Sequence, residues 1–305
     1  MKMSDYGKNW KKFLDKEENA WMFDFRFEAE GWAEKKSDEG IKNAVKKFTS
    51  IKDDNLDRAL KYKASRVSFD PDRCALARSI YKALWHVTLG KDKVLGLIEA
   101  RQGFVERWNN LGLGINSDTM NTFKTTYNQV KDKKNLSDNG KLLSTFAGLT
   151  QTLGSFTLIP HRLKSDNKLT FNSGRGFWRK DSIYYVCDYW DLSLKLIKDI
   201  LGEDFFIDYI DTFHLKTGLD KNCNEVPLYV DKNYNIFPLI PNHGIYLKDD
   251  CNFSEELKKM GKTDREKAFL PAKGIELNDF LEMVNIKIEA RGRKLISLLR
   301  EKSTR

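Results

Sequence analysis

In the stretch WDLSLKLIKDIL (190–201), Trp190, Leu194, Ile197 and Leu201 stand at i, i+4, i+7 and i+11. Only an α-helix brings that spacing onto one face, because its side chains return every 3.6 residues or so. Such a face has to be buried against other elements, so the segment predicts a packed helix. Gly202 follows it as the expected stop, since glycine enters the left-handed conformation of a helix end without steric cost. A second helical stripe, at i, i+4, i+8 and i+11, is formed by Leu76, Ile80, Leu84 and Val87, with Tyr81 and Trp85 beside it and Asp70-Pro71-Asp72 as its start.

Further helices are predicted within the first twenty residues (Trp10, Phe13, Leu14), over about 92–110, and across KLLSTFAGLTQTLG. Asn116-Ser117-Asp118 reads as the cap of another, holding Met120, Phe123 and Tyr127. One more carries Phe205, Phe206, Tyr209, Ile210 and Phe213, and a long closing helix runs from Leu277 to about Leu299. Residues 34–63, rich in lysine and acids, read as a solvated helical excursion.

Strand signals are fewer. Phe23, Phe25 and Phe27 alternate with Asp24, Arg26 and Glu28, the period-2 pattern of a half-buried strand. SFTLIP and LTF predict a hairpin around HRLKSDNK, whose Asp-Asn is a turn signal. The loop-rich 216–253 segment adds short strands at PLYV and IFPLI. No internal repeat is expected. The fold class is therefore α+β, predominantly helical, with a small antiparallel sheet or hairpin layer. A single compact domain over 1–305 is preferred; the alternative divides the chain near 138, into a helical part (1–138) and an α+β part (139–305).

The composition, 40% hydrophobic and 32% charged, is that of a globular chain and not a disordered one. A membrane span needs about 18 uncharged apolar residues in a row, and the sequence has no such run. MKMSDYGKNWKKFLDKEE lacks the apolar core of a signal peptide. Cys74, Cys187, Cys223 and Cys251 are widely spaced without a CxxC pair, which argues against a disulfide framework and a zinc cage. A cytoplasmic protein with no membrane partner is expected.

The net charge of +9 points towards phosphate-bearing partners. Residues 287–305 hold seven Lys/Arg against two Glu. That segment is either a solvated face complementing the helix dipole or a nucleic-acid contact.

The main site candidate is the loop NSGRGFWRKDSIYYVC (172–187). Two glycines let backbone N–H groups approach an anion closely, and Arg175 between them offers a planar fork of donors suited to phosphate. Asn172, Arg179, Lys180 and, from the first strand, Arg26 complete the phosphate-binding set. The competing reading makes the glycines a tight turn and pairs the arginines with Asp181 and Asp188. Trp178, Tyr184, Tyr185 and Trp190 either stack on a base or pack a core.

Asp191 belongs in the first turn of its helix, where the dipole favours a carboxylate; it either pairs with Lys195 one turn on or fixes Arg175. Asp24, Asp118 and Asp191 are the catalytic candidates, as carboxylates for a divalent metal in a phosphodiester hydrolase, although no ExK or DxD spacing supports them. The histidines, His86, His161, His214 and His243, have no i+4 partners for zinc. Walker A, Rossmann and GxSxG patterns are all missing.

FDFRFEAEG (23–31), YKALW (81–85), LGLGINSDTMNTF (111–123), LGSFTLIPHRLKSDNKLTFNSGRGFWRK (153–180) and WDLSLKLIKDIL (190–201) together resemble an uncharacterised bacterial family. It is a domain of unknown function found in many Firmicutes and Actinobacteria, matched over roughly 22–215. The chain departs from it in a longer 34–63 insertion, in a missing Pro-Asp-Ser-Tyr stretch and beyond about 220. The resemblance implies a shared fold and a shared site, but no activity.

TLGSFTLIP is also similar to a segment of the HNH endonucleases of modification-dependent restriction systems. Those enzymes place a general-base histidine shortly before it. Here no histidine lies between His86 and His161, and Ser155 replaces their asparagine.

The expected function is binding of a nucleic acid or nucleotide through the 172–180 loop by a bacterial or phage protein of defence or counter-defence. The alternatives are a metal-dependent nuclease and a non-catalytic interaction module.

Overall fold

In the computed structural model the described residues are 9–25, 75–85, 113–120, 141–162 without 144 and 147, 189–261, 264, 268, 269 and 275–304. Of 113–118, 161, 162, 258 and 275 the backbone alone is described. Helices are α1 (Trp10–Lys16), α2 (Ala75–Trp85), α3 (Trp190–Leu201), α4 (Glu203–Thr212), α5 (Phe253–Lys259) and α6 (Ile275–Ser303). Strands are β1 (Leu113–Thr119), β2 (Phe156–Arg162), β3 (Thr217–Leu219) and β4 (Glu225–Pro227), paired antiparallel as β1–β2 and β3–β4. The fold is α+β and mostly helical. No helix among the described residues is long and apolar enough to cross a membrane.

The stripe of α3 packs as its spacing dictates: Trp190, Leu194 and Ile197 are fully buried. Burial extends around the whole first two turns, including Ser193 and Lys195. Gly202 ends the helix at φ 88°, and its carbonyl accepts from Phe206 N–H at 3.0 Å to begin α4. One glycine therefore both stops a helix and starts the next.

Two expectations change. Asn116-Ser117-Asp118 lies in β1, not in a helix cap, with Asp118 opposite Thr157 and Leu113 opposite Arg162. Its local capping signal yields to a ladder with a strand some forty residues away, so β2 pairs with β1; the LTF segment lies outside the described residues. The alternating phenylalanines begin on a 3₁₀ turn (Ala20–Met22), and no strand is found among the described residues 20–25. Phe23 and Phe25 serve instead as an aromatic wedge: Phe25 meets Phe13, Phe23 and Phe156 at ring distances of 5.9, 5.2 and 5.3 Å. The 34–63 excursion and the predicted helix over 92–110 lie outside the described residues.

β2 is covered on both faces, for Phe156, Thr157, Leu158 and Ile159 are all buried. Along a strand the carbonyls alternate in direction. Ser155 O accepts Met120 N–H on the β1 side, so Phe156 O and Leu158 O point the other way. Phe156 O accepts from Arg291 of α6 at 2.5 Å, and Leu158 O from the Tyr209 hydroxyl of α4 at 2.8 Å. Two side chains thus complete an edge that a third strand would otherwise take.

The closing helix organises the core. Leu277, Leu281, Val284, Ile288, Leu295 and Leu299 form its buried stripe, and Arg291 occupies a position within that same stripe. It crosses the 153–155 turn so closely that a Cβ on Gly154 would overlap the Ile288 carbonyl. On β3, a Cβ on Gly218 would lie 2.6 Å from the Ala290 carbonyl carbon.

The sequence also holds a repeat, against expectation: DKNCNEVPL (220–228) and DKNYNIFPL (231–239). Both copies fold alike. Asp220 Oδ1 accepts the N–H groups of Asn222 and Asn224 at 2.8 Å, and Asp231 Oδ1 those of Asn233 and Asn235 at 2.7 and 2.9 Å. Cys223 and Tyr234 take the matching left-handed position, with φ 63° and 67°. The first loop joins β3 to β4, and the second closes the Val230–Ile236 bridge.

Candidate functional site

Asn172, Arg175, Arg179, Lys180 and Arg26 lie outside the described residues. What is described is what flanks them in the chain: β2 on one side, buried over 156–160, and Tyr189 with α3 on the other, buried over 189–197. Asp24 is half-buried between the two packed phenylalanines. Because Phe25 contacts Phe156 and Asp118 is opposite Thr157, the backbones carrying Asp24 and Asp118 approach the same end of β2.

Asp191 is engaged elsewhere. Its side chain is fully buried, Oδ1 accepting Leu192 N–H at 2.9 Å and Oδ2 accepting Leu239 N–H at 2.7 Å. Oδ2 also meets His243 Nδ1 at 2.7 Å. The other ring nitrogen, Nε2, faces the Phe269 carbonyl at 3.1 Å. Tyr189 and Phe269 stand edge-on to the imidazole, with ring centres 5.1 and 6.2 Å away. Asp191 and His243 are thereby closed off from water at 0% exposure.

The expected Asp191–Lys195 pair is not formed. Lys195 instead donates to Asp199 and to the Cys251 carbonyl, both at 2.6 Å, while Asp199 accepts Phe253 N–H at 2.7 Å. This second buried pair fastens α3 to the start of α5, as the first fastens it to the 239–243 turn. Both replace water around a charge with several aligned partners, which a buried ion requires.

The electrostatics follow from that closure. Burial pulls His243 down, but the Asp191 charge and hydrogen bond outweigh it, and the ring titrates above its ordinary value. Burial pushes Lys287 down to about 8, with Asp191 opposing. The Lys287 ammonium donates to the Leu228 carbonyl and lies 5.5 Å from the ring centres of Tyr229 and Phe237. Burial likewise lowers Arg291 to about 10.

On the basic closing helix Lys287 and Arg291 are buried, Arg293, Lys294 and Lys302 are partly exposed with partners in the protein, and Arg300 is exposed. Arg291 donates to the Gly154, Phe156 and Phe213 carbonyls. Arg293 stacks on Trp21 at 3.9 Å, Lys294 pairs with Glu225 at 2.7 Å, and Lys302 donates to the Ala83 carbonyl at 2.7 Å. Lys302 thus satisfies the end of α2, where backbone carbonyls lack helical partners.

Among the described residues, no cluster of three or more His, Cys, Asp or Glu side chains is arranged to hold a metal ion. Sequence reasoning missed His243 because its partner is remote in the chain. Arg291 did leave a signal, as the polar member of an otherwise apolar stripe. No family model matches the chain, and neither curated proteins nor solved structures give a match.

Proposed function

We propose that this is a cytoplasmic bacterial or phage protein of the defence or counter-defence class, which binds a nucleic acid or nucleotide through the 172–180 loop. Asn172, Arg175, Arg179 and Lys180 are its phosphate-binding residues, with Arg26 in support. The observation that supports the reading is the position of the Gly-Arg-Gly segment in the chain, between β2, buried over 156–160, and α3, buried over its first two turns.

The closing helix strengthens this placement by subtraction. Lys287 and Arg291 are buried and closed to a polyanion, and Arg293, Lys294 and Lys302 already have partners in the protein, which leaves weight on other cations. Residues 163–188 supply five Lys/Arg against three Asp. The resemblance to the uncharacterised bacterial family belongs to the same proposal, since the matched pieces include the loop and both flanking elements.

The test is retention of single-stranded DNA, RNA and ATP at low ionic strength, followed over a salt titration. Affinity that falls steeply with salt supports the reading. Failure to retain any of the three at low salt ends it. For the nuclease alternative, Asp191 is a poor metal ligand, because three donors already occupy its carboxylate and it is sealed from solvent.

A further inference from the structure

The two nitrogens of His243 face two groups that only accept hydrogen bonds, the Asp191 carboxylate and the Phe269 carbonyl. A neutral imidazole has one N–H and satisfies one of them; an imidazolium satisfies both. In a fully buried site the unsatisfied alternative leaves two lone pairs pointing at each other without a proton. The geometry therefore selects the charged ring.

We propose that protonated His243 is a latch that holds the first turn of α3 closed against the 239–243 turn and Phe269, and that loss of its proton opens this junction locally. Asp191 ties the first turn of α3 to Leu239, and His243 extends the tie to Phe269. Once the ring is neutral, Asp191 or Phe269 loses its donor. The junction, not the whole core, is the part that yields, because Lys195 bound to the Cys251 carbonyl and Asp199 bound to Phe253 N–H continue to hold the second half of α3 against the start of α5.

The charged groups around the ring are consistent with this assignment. Among the described residues Asp191 faces it from α3 and Glu276 acts on it from α6, both favouring the proton. Lys287 on α6 also interacts with Asp191. The latch does not depend on the phosphate reading, whose failure would leave the ring's protonation and the junction's exchange unchanged.

Two measurements on the full chain decide the matter. Nitrogen-detected NMR of the His243 ring follows its protonation between pH 5 and pH 9, a window of about two units around the ordinary histidine value. Hydrogen exchange at the Leu192 and Leu239 amides, corrected for intrinsic base catalysis, follows the junction. We expect two ring N–H groups at neutral pH, reduced to one as pH rises. Protection at Leu192 and Leu239 should fall about tenfold or more with that proton's loss, while the Val226 amide is unaffected. H243N, which keeps a donor towards Asp191 but cannot titrate, should show no such step. A ring already neutral at pH 6.5, protection that ignores the ring's titration, or a ring that keeps its proton until the whole chain unfolds would each overturn the latch; if H243N fails to fold, the wild-type comparison of ring and amides still decides.

Discussion

Arg291 Nε and Nη2 both donate to the carbonyl of Phe213, at 3.3 and 2.9 Å, and so join the middle of α6 to the C-terminal cap of α4. The same guanidinium reaches Gly154 and Phe156, so one buried cation closes three backbone acceptors from separate parts of the chain. Arg291→Met fills similar volume but leaves those carbonyls without donors. Each buried unsatisfied group costs about 1–3 kcal/mol, so we expect a loss of about 3–5 kcal/mol. Arg291→Lys keeps a charge without the planar fork and should lose less than Met. Urea unfolding of both variants, read at the midpoint, checks the order.

The glycines at the crossing give a sharper contrast. Gly154→Ala forces a methyl into the Ile288 carbonyl, a backbone atom that cannot swing aside. We expect a destabilisation of about 3 kcal/mol or more, or no soluble protein. Gly148 lies in a helical stretch with nothing near its missing Cβ. Gly148→Ala should instead stabilise by about 0.5–1 kcal/mol through helix propensity. Thermal melts of the two variants in parallel test the close approach of α6: if both alanines behave alike, α6 does not cross there.

How much of this was legible in the sequence depended on the range of the interaction. The stripe at Trp190, Leu194 and Ile197, the stop at Gly202 and the extent of α6 are periodic or local signals, and they were readable. The pairing of β1 with β2 was not, because Asn116-Ser117-Asp118 carries a capping signal stronger than any local strand signal. Asp191 was placed correctly in its helix, yet its partner His243 is fifty-two residues away and neither neighbourhood names the other. The repeated DKNxN loops were readable in principle, by comparing the chain with itself at an offset of eleven. Their function in the fold, an aspartate holding a left-handed residue, needed the hydrogen bonds.

Those loops carry the third prediction. Cys223 is exposed and has φ 63°, a conformation that costs a side chain with a Cβ roughly 1–2 kcal/mol. Cys223→Gly removes that strain while widening the unfolded ensemble, so we expect a net gain of up to about 1 kcal/mol. Tyr234 has the same backbone, but its hydroxyl donates to Asp211 at 3.0 Å and its ring lies 3.8 Å from Lys216 Nζ. Tyr234→Gly should therefore destabilise, by about 1–3 kcal/mol. Opposite signs at equivalent positions, in chemical denaturation, are the outcome expected.

Acid should act through His214. Burial, then the charges of Arg291, Lys294 and Lys302, hold its ring down to about 4. The folded state therefore binds the proton less tightly than the unfolded chain, whose histidine titrates near 6.5. Stability from the neutral ring is fully present above about 6.5 and is lost as pH falls towards 4. Each tenfold difference in proton affinity between the two states is worth about 1.4 kcal/mol, so the loss amounts to about 2–3 kcal/mol. His214→Asn suits the position, because asparagine tolerates its φ of 52° and carries no titrating group. The difference in stability between pH 7 and pH 4 should shrink by that amount in the variant; an unchanged difference would rule out His214 as the acid-sensitive group.

The last prediction separates the loop from the closing helix as the seat of phosphate binding. Removing one phosphate contact weakens binding and lowers the salt slope by about 0.7–0.9. Arg175→Ala and Arg179→Ala should each do so against single-stranded DNA and RNA, with little change in melting temperature. Lys294→Ala breaks its pair with Glu225, and Arg293→Ala exposes Trp21, so both should alter stability slightly and leave the slope unchanged. If the slope instead follows Arg293 and Lys294 while Arg175 and Arg179 are silent, the anion site lies on α6, and the cations there exchange their internal partners for phosphate on binding.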